Sequence, residues 1–401
     1  MKYLIILAIL IGSNAANAQW IQLNSGTNVS LNEIMFPTAN IGYVVGNKGT
    51  VLKTSDGGSN WNSLNTGLSV NFHELYFITA NEGWIVGDSG SVCHTVNEGI
   101  GWDCSFLDSA KYINLHSVFA LNSNTILIGG KMNNIDGYLA KTTNGGSTWK
   151  TANMERYLWD VDIKKIAMVN DTVGYAINRG YVLKTSDGGS NWYITDTASV
   201  QAGNMFHVLE DLAFFPNNDT VYTCGWYGAY FGKTVNGGDI WQHNNDHQSY
   251  NLDFLNTQVG YIGGWGQVHK TVDGGVSFVD ASGGSSVLFE DIYSIDFTDE
   301  WTGYACGNKG KIFKTSNGGS TSIPQISDTK PSVLVYPNPT RGKINFSAIT
   351  NVQLTNASGK ILDDRKNVDS IDLSEQSAGI YFIILTDKNG QVIQRNKIVK
   401  E

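Results

Sequence analysis

The chain is expected to be all-β, a seven-bladed β-propeller followed by a small Ig-like β-sandwich. Three observations predict this. An eight-residue box recurs seven times between residues 54 and 322, at Thr-to-Thr spacings of 41, 47, 43, 49, 37 and 44. Glycine is abundant at 45 residues, proline is scarce at 6, and no stretch sustains a helical period. Each repeat also breaks into short apolar-alternating segments separated by turn residues. A repeat in the low forties built this way is the mark of a propeller blade of four antiparallel strands.

The first segment reads as lying outside the fold. Lys2 precedes the apolar run Leu4–Gly12, and Ala16-Asn17-Ala18 offers a small-residue cleavage site before Gln19, so residues 1–18 are expected to be a Sec signal peptide. No Cys follows it to take a lipid, and no later apolar run is long enough to span a bilayer. The propeller is expected over residues 19–322. In its first blade Leu31–Pro37 reads as the innermost strand, Ile41–Val45 as the second, Gly46–Gly49 as a turn and Thr50–Thr54 as the third, with the fourth starting at Trp61. The second-strand signature recurs as GYVVG (42–46), GWIVG (83–87), ILIGG (126–130), GYAIN (174–178), VYTCG (221–225), GYIGG (260–264) and GYACG (303–307). The seventh box has no outer strand of its own. WIQLNSG (20–26) reads like WNSLNTG (61–67), so Gln19–Leu23 is expected to complete the last blade and remove the exposed sheet edges of an open ring.

The box itself is TSDGGSNW (54–61), TVNEGIGW (95–102), TTNGGSTW (142–149), TSDGGSNW (185–192), TVNGGDIW (234–241), TVDGGVSF (271–278) and TSNGGSTS (315–322). It has the chemistry of a hairpin turn: a side-chain oxygen accepts from its own loop, glycine supplies positive φ, and an aromatic ring packs beneath. The accepting position is Asp56, Asn97, Asn144, Asp187, Asn236, Asp273 and Asn317, and the ring is Trp61, Trp102, Trp149, Trp192, Trp241 and Phe278. A position that takes Asn as readily as Asp needs an acceptor rather than a charge, so the boxes are structural and bind no metal. Losing one of the Trp residues is expected to cost about 3–5 kcal/mol. Cys93 and Cys104 lie two residues outside Thr95 and Trp102, opposite each other across the hairpin, and are expected to form a disulfide. Cys224 and Cys306 fall where other repeats carry Val45 and Val86, and read as small buried hydrophobes.

These boxes are similar to Asp-box (bacterial neuraminidase) repeats. The tandem carrying GYVVGNKGTVLKTSDGGSNW (42–61) most resembles the photosystem II stability/assembly factor-like propellers. The resemblance implies the propeller fold. It leaves function open, because Asp boxes also occur in sialidases, xyloglucan hydrolases and sortilin-type receptors.

Residues 323–332 read as a polar, proline-containing linker, and residues 333–401 as a second module. There VLVYPNPTRGKINF (333–346), VQLTNASGKIL (352–362), IDLSEQSAGIYFIIL (371–385) and VIQRNKIVK (392–400) alternate as strands between Asn-Pro, Ser-Gly and Asn-Gly turns. Tyr336-Pro337-Asn338-Pro339 with Gly342, Gly359, Ile371-Asp372-Leu373-Ser374, Ala378-Gly379-Ile380-Tyr381 and Lys397–Lys400 together resemble a type A sorting domain of the type IX secretion system of Bacteroidota. That resemblance implies handling by the type IX secretion machinery. The chain would pass through the periplasm and end extracellular or attached to the outer cell surface, with the sorting domain removed.

Composition and motifs exclude several functions. Residues 19–330 carry 17 Lys+Arg against 29 Asp+Glu, and such an acidic domain is a poor nucleic-acid binder. A sialidase grips its substrate carboxylate with three arginines, whereas the propeller holds only Arg156 and Arg179. No GxSxG, HExxH, P-loop or dinucleotide fingerprint appears in its proper context, so no cofactor or metal is expected. His243 and His247, in the run HNNDH, read as a solvated turn.

The face opposite the boxes carries the candidate ligand surface. Residues at the start of each innermost strand are Asn32-Glu33, His73-Glu74, His116-Ser117, Lys164-Lys165, Glu210-Asp211, Tyr250-Asn251 and Tyr293-Ser294. Trp226, Tyr227 and Trp265 occupy turns between second and third strands, and the connections Thr195–His207 and Lys131–Gly137 fall on the same side. Glu33, His73, Glu74, His116, Lys165, Asp211, Trp226, Tyr227 and Trp265 are the candidate ligand-binding residues, since aromatics beside carboxylates suit capture of a protein or glycan. Equally, such rings pack beneath neighbouring loops. The expected function is an exported binding or assembly scaffold with no catalytic residues. A secreted glycan-active enzyme, glycoside hydrolase-like and drawing on Glu33, Glu74, Glu210 or Asp211, is the alternative.

Overall fold

The computed structural model describes residues 20–107, 112–132, 136–154, 162–178, 180–196, 208–215, 219–225, 230–244, 248–283, 291–319, 333, 335, 336, 338, 340–356, 360–386 and 392–400. Residues 1–18, Gln19, Arg156, Arg179, Trp226, Tyr227, the 197–207 stretch, His247, residues 323–332, Pro337, Pro339 and Gly359 lie outside them. The chain divides into two compact units, Met1–Ile323 and Pro324–Glu401.

Seven sheets make up the first unit. Blade 1 pairs Leu31–Met35, Gly42–Gly46, Val51–Thr54 and Asn62–Leu64 in that order, and the innermost strands of the later blades are Phe72–Phe77, Ile113–Ala120, Lys165–Met168, Leu209–Phe215, Asn251–Phe254 and Ile292–Phe297. Each innermost strand contacts the next, and Leu31–Met35 contacts Ile292–Phe297, so the circle is closed. Closure uses the N-terminal strand: Ile21–Leu23 pairs antiparallel with Ile312–Thr315 as the outer strand of blade 7, in the register Ile21↔Lys314 and Leu23↔Ile312. Trp20, 1% exposed, donates its indole N–H to Ala281 O at 2.9 Å and meets Phe297 edge-on. It takes under the seventh box the place that a box Trp takes elsewhere. Blade 4 departs from four strands: Asn153–Met154 leaves the outer edge of blade 3 and pairs in parallel with Asn191–Trp192 as a fifth strand.

The boxes share one hydrogen-bond pattern whether Asp or Asn is present. Thr54 Oγ1 donates to Asp56 Oδ1 at 2.8 Å and accepts from Gly58 N, while Asp56 Oδ1 accepts from Asn60 N at 2.9 Å. In the second box Thr95, Asn97, Gly99 and Gly101 repeat these contacts, with Gly101 N to Asn97 Oδ1 also 2.9 Å. Side-chain and backbone donors from Asn60, and the same from Asn191 and Ser277, hold Asp56, Asp187 and Asp273 down at about 2. The rings are less buried than the sequence implied. Among the box tryptophans Trp192 is buried, whereas Trp61, Trp102, Trp149 and Trp241 are half-buried. The full cost expected for a box Trp therefore applies to Trp192, and half-buried rings contribute less.

The joints of blades 1–2, 5–6, 6–7 and 7–1 share one device. Gly42, Gly83, Gly260 and Gly303 each lie against the Phe that ends their own innermost strand, where a Cβ would come within 2.2–2.6 Å of the ring. The Tyr after Gly42, Gly260 and Gly303, and Tyr222 after Val221 in blade 5, stacks on the Phe of the next blade: Tyr43 on Phe77 at 3.8 Å, Tyr222 on Phe254 at 3.9 Å, Tyr261 on Phe297 at 3.5 Å and Tyr304 on Phe36 at 3.6 Å. Each Tyr hydroxyl donates into the next blade, as Tyr304 does to Gly57 O at 2.9 Å. A third-strand lysine lies over that ring and donates to the next box, as Lys314 does to Gly57 O and Lys233 to Gly274 O. Cys93 and Cys104 face each other across the third and outer strands of blade 2 and are disulfide-bonded, while Cys224 and Cys306 are free and buried.

The second unit is all-β. Val335–Tyr336, Lys343–Asn356, Gly379–Thr386 and Val392–Lys400 pair in that order, and Ile361–Asp372 pairs with Lys343–Asn356. The ladder between those two long strands shifts register around residues 345–352, which is where such a pair bends. Ile344, Phe346, Leu354, Leu373, Ile383 and Ile398 are among its buried core. Gly342 lies beside Ser374, and Asn338 Oδ1 accepts from Val399 N at 2.9 Å, so the conspicuous motif residues tie the strands together.

Trp20→Ala should destabilise the protein by about 3–5 kcal/mol, the range for truncating a buried aromatic, and Trp61→Ala by clearly less. Denaturant melts of the two variants check this, and equal losses would contradict the closure described here.

Candidate functional site

The site is built by a β-bulge repeated around the channel. Pairing between innermost and second strands shifts at Leu31/Glu33, Phe72/Glu74, Leu115/Ser117, Leu209/Asp211 and Ile292/Ser294. The extra residue turns two consecutive side chains toward the axis instead of one. The bulge depends on the final glycine of the second-strand signature. A Cβ on Gly46, Gly87, Gly130, Gly225 or Gly307 would come within 2.0–2.3 Å of the carbonyl oxygen just before the bulge.

The result is a cavity of about 520 Å³ at the channel mouth. Its outer ring is Asn32, His73, His116, Lys164, Glu210, Tyr250 and Tyr293, and beneath it lie Glu33, Glu74, Lys165, Asp211 and Asn251, with Asp291 at one side. Of the residues expected from sequence, Glu33, His73, Glu74, His116, Lys165 and Asp211 come together here. Trp265 stands beside them: 56% exposed, in the left-handed region at φ 50°, it stacks on Tyr250 with centroids 6.1 Å apart. Of the long connections, Lys131 and Met132 continue a strand, and so do Asp136 and Gly137. His243 sits on the outer strand of blade 5.

Lys165 is the hub. Its Nζ lies 2.6 Å from Glu74 Oε1, 3.3 Å from Glu33 Oε1 and 3.7 Å from Asp211 Oδ1. Burial alone would lower the lysine, but Asp211, Glu33 and Glu74 outweigh it and hold the ammonium well above its ordinary value. One ammonium cannot offset three buried carboxylates. Burial raises Glu33 to about 8, with Glu74 and Asp211 adding to the rise, and burial also raises Glu74 and Asp211. Above them, His73 Nε2 meets Asp88 Oδ1 at 2.7 Å and His116 Nδ1 meets Asp162 Oδ1 at 2.5 Å, with the imidazoles edge to face at 4.7 Å. Lys164 Nζ is 3.0 Å from Asp162 Oδ2.

These carboxylates already have work in the ring. Neighbouring innermost strands do not hydrogen-bond to each other as a sheet, so backbone N–H groups facing the next blade need another acceptor. Val118 N donates to Glu74 Oε2 at 2.6 Å, Leu252 N to Asp211 Oδ2 at 3.0 Å, Phe297 N to Asp253 Oδ2 at 2.6 Å and Phe36 N to Asp296 Oδ2 at 3.1 Å. Ser117 and Ser294 serve Ile166 N and Ile34 N likewise. Asp253 and Asp296 are absent from the sequence-derived set. Their signal was a carboxylate in a column otherwise held by Met35, Tyr76, Phe119, Ala167 and Ala213. Burial raises Asp253 to about 7 and Asp296 well above its ordinary value.

Fold and site define a ring-closed Asp-box propeller with a mixed polar and aromatic channel mouth, carried on a chain with a separate C-terminal β module. The chain belongs to the family described as "Photosynthesis system II assembly factor YCF48", whose profile matches residues 12–156 and 59–249. A second profile, "Secretion system C-terminal sorting domain", matches residues 334–401. The tail places the protein in the hands of the type IX secretion system and directs it to the cell surface or the extracellular space. Among solved structures, "YCF48 bound to D1 peptide" is 19% identical with a TM-score of 0.59, covering 75% of this chain and 96% of that one. YCF48 from Cyanidioschyzon merolae is 19% identical with a TM-score of 0.58, covering 74% and 98%. An ancestral GH74 enzyme is 12% identical with a TM-score of 0.59, covering 93% of this chain and 60% of that one. At these identities the likeness concerns the fold. No curated protein sequence matches the chain significantly.

Two outcomes are expected. Lys165→Met leaves three buried carboxylates without their cation and should cost about 3–5 kcal/mol near pH 8, less near pH 5 where protons replace the ammonium. Denaturant melts at the two pH values check it. Glu33 and Asp253 have folded values above the ordinary 4.5 and 3.8, so the native state binds more protons than the unfolded chain. Their contribution is full below those ordinary values and is lost as pH rises through about 7 to 8. Asp253→Asn should therefore stabilise at pH 8 by about 1–4 kcal/mol, and a variant with an unchanged pH profile would count against this assignment.

Proposed function

We propose that this protein is an exported binding scaffold that holds a segment of another polypeptide at the channel mouth, on the face opposite the Asp boxes. One observation carries the reading. The buried carboxylates of the mouth are committed to backbone N–H groups of the next blade and to Lys165, which leaves a shaped polar and aromatic surface. A cavity of about 520 Å³ suits one or two side chains of a larger ligand, with Tyr250, Tyr293 and Trp265 as contact rings. Membership of a family described as assembly factors supports a binding role, and one solved relative carries a peptide.

A glycan-active enzyme is the second reading, favoured by the raised value of Glu33 beside Glu74 and Asp211 and by the fold likeness to a GH74 enzyme. Against it, an acid–base pair needs a free carboxylate on each side of the scissile bond, and here both crowd one ammonium.

A peptide array and a polysaccharide-degradation screen of the mature chain separate the two. Stoichiometric peptide binding weakened at least tenfold by Tyr250→Ala or Trp265→Ala is expected, with no turnover. Turnover abolished by combined Glu33→Gln, Glu74→Gln and Asp211→Asn, in a variant that keeps its thermal transition, would replace the scaffold with an enzyme.

A further inference from the structure

The channel mouth is divided by charge. On the arc of blades 1 to 4 the lysines are already matched, Lys165 by Glu33, Glu74 and Asp211 and Lys164 by Asp162, while His116 and His73 hydrogen-bond Asp162 and Asp88. On the arc of blades 5 to 7 the cavity wall is Glu210, Tyr250, Asn251, Asp291 and Tyr293, with no basic side chain of its own among the described lining residues. Lys164 approaches from the neighbouring arc, 3.9 Å from Glu210 Oε2. Asp291, Glu210 and Tyr293 all lie close enough to Tyr250 to act on its hydroxyl electrostatically. One observation above all marks this arc as made for a ligand. Asn251 is 4% exposed and lines the cavity, yet both its Oδ1 and its Nδ2 are buried with no hydrogen-bond partner among the described residues. An amide left in that state costs free energy until something completes it. Trp265 extends the aromatic surface from Tyr250 outward, its positive φ being that of the hairpin turn it shares with Lys48, Ser89 and Lys309 in other blades.

We infer that this arc is a subsite for an arginine side chain of the partner polypeptide, seated between Asp291 and Glu210, against the Tyr250 ring, with Asn251 at its floor. The inference rests on the peptide-binding reading above and names what the site selects. A guanidinium is a planar cation that carries only donors, so it complements two carboxylates and an aromatic face. Asn251 completes the match with both halves of its amide. Oδ1 accepts from a guanidinium N–H, and Nδ2 donates to a main-chain carbonyl, which a free cation lacks.

The test uses the mature chain and N-acetyl-arginine N-methylamide, with the citrulline counterpart as the neutral isostere, followed by saturation-transfer NMR. Saturable binding of the arginine probe is expected, with citrulline at least tenfold weaker. Asp291→Asn and Tyr250→Ala should each weaken arginine at least fivefold. Asn251→Leu should keep or raise the melting temperature, because it removes the uncompleted amide, while weakening arginine by a similar factor. Citrulline binding as tightly as arginine, or a folded Asn251→Leu protein that binds arginine unchanged, overturns the inference. Array peptides that bind through Tyr250 regardless of arginine would overturn it too, while leaving the scaffold reading intact.

Discussion

The joint between blades is the constraint on which the rest of this structure depends. Adjacent blades pack face to face without a shared ladder, so side chains, helped by a few backbone bonds such as Ile163 N to Gly130 O and Ser249 N to Gly225 O, hold seven of them in a circle. At the joints of blades 1–2, 5–6, 6–7 and 7–1 those side chains include a tyrosine stacked on the phenylalanine of the next blade, and at the 7–1 joint its hydroxyl and an overlying lysine both donate to Gly57 O. Stacking is non-polar and the donors satisfy otherwise orphaned turn carbonyls, so one contact joins hydrophobic burial to polar satisfaction. The small residue before the tyrosine exists to let the blade's own phenylalanine lie flat.

The same logic reaches the channel, and there it decides chemistry. Backbone N–H groups of the innermost strands point at the neighbouring blade rather than at a strand partner. Glu74, Asp211, Asp253 and Asp296 accept from them, and the serines do so where the channel holds no charge. A ring of buried acids is thus first a structural necessity. Its electrostatic debt is met by Lys165 and by retained protons, which links the ring to pH. What remains for recognition is the outer layer of side chains that the bulges bring to the mouth.

Blade 2 shows how the joint tolerates change. Trp84 stands where five other blades carry the tyrosine and blade 3 carries Leu127, and His94 replaces the lysine, stacking on Trp84 at 3.9 Å and reaching Glu82 at 3.2 Å. The disulfide of Cys93 with Cys104 lies in the same blade. Among the described residues the stack on the next blade and the reach to its box are both absent here, whereas blades 3 and 4 keep the reach, through Lys141 to Gly188 O and Lys184 to Gly237 O, so the joints differ in which element they retain.

Much of this architecture was legible in the sequence, because its determinants are local. Box spacing, glycine signatures and the likeness of residues 20–26 to 61–67 specify the blades, their order and the closing strand, since each depends on chain-neighbour geometry. The gathering of Glu33, Glu74, Lys165 and Asp211 followed from their shared place in the repeat. Tertiary structure alone decided what the repeat register cannot express. That Lys165 answers three blades at once, that Asp253 and Asp296 serve backbone groups of the following blade, and that Asn251 is buried without a partner among the described residues are distances across the axis. Such distances join residues from 41 to 260 positions apart in the chain, as in Asp211 to Leu252 and Asp296 to Phe36, so no local pattern carries them. Blade 4 drawing its fifth strand from the edge of blade 3 has the same cause, for pairing between separate sheets leaves no periodic trace.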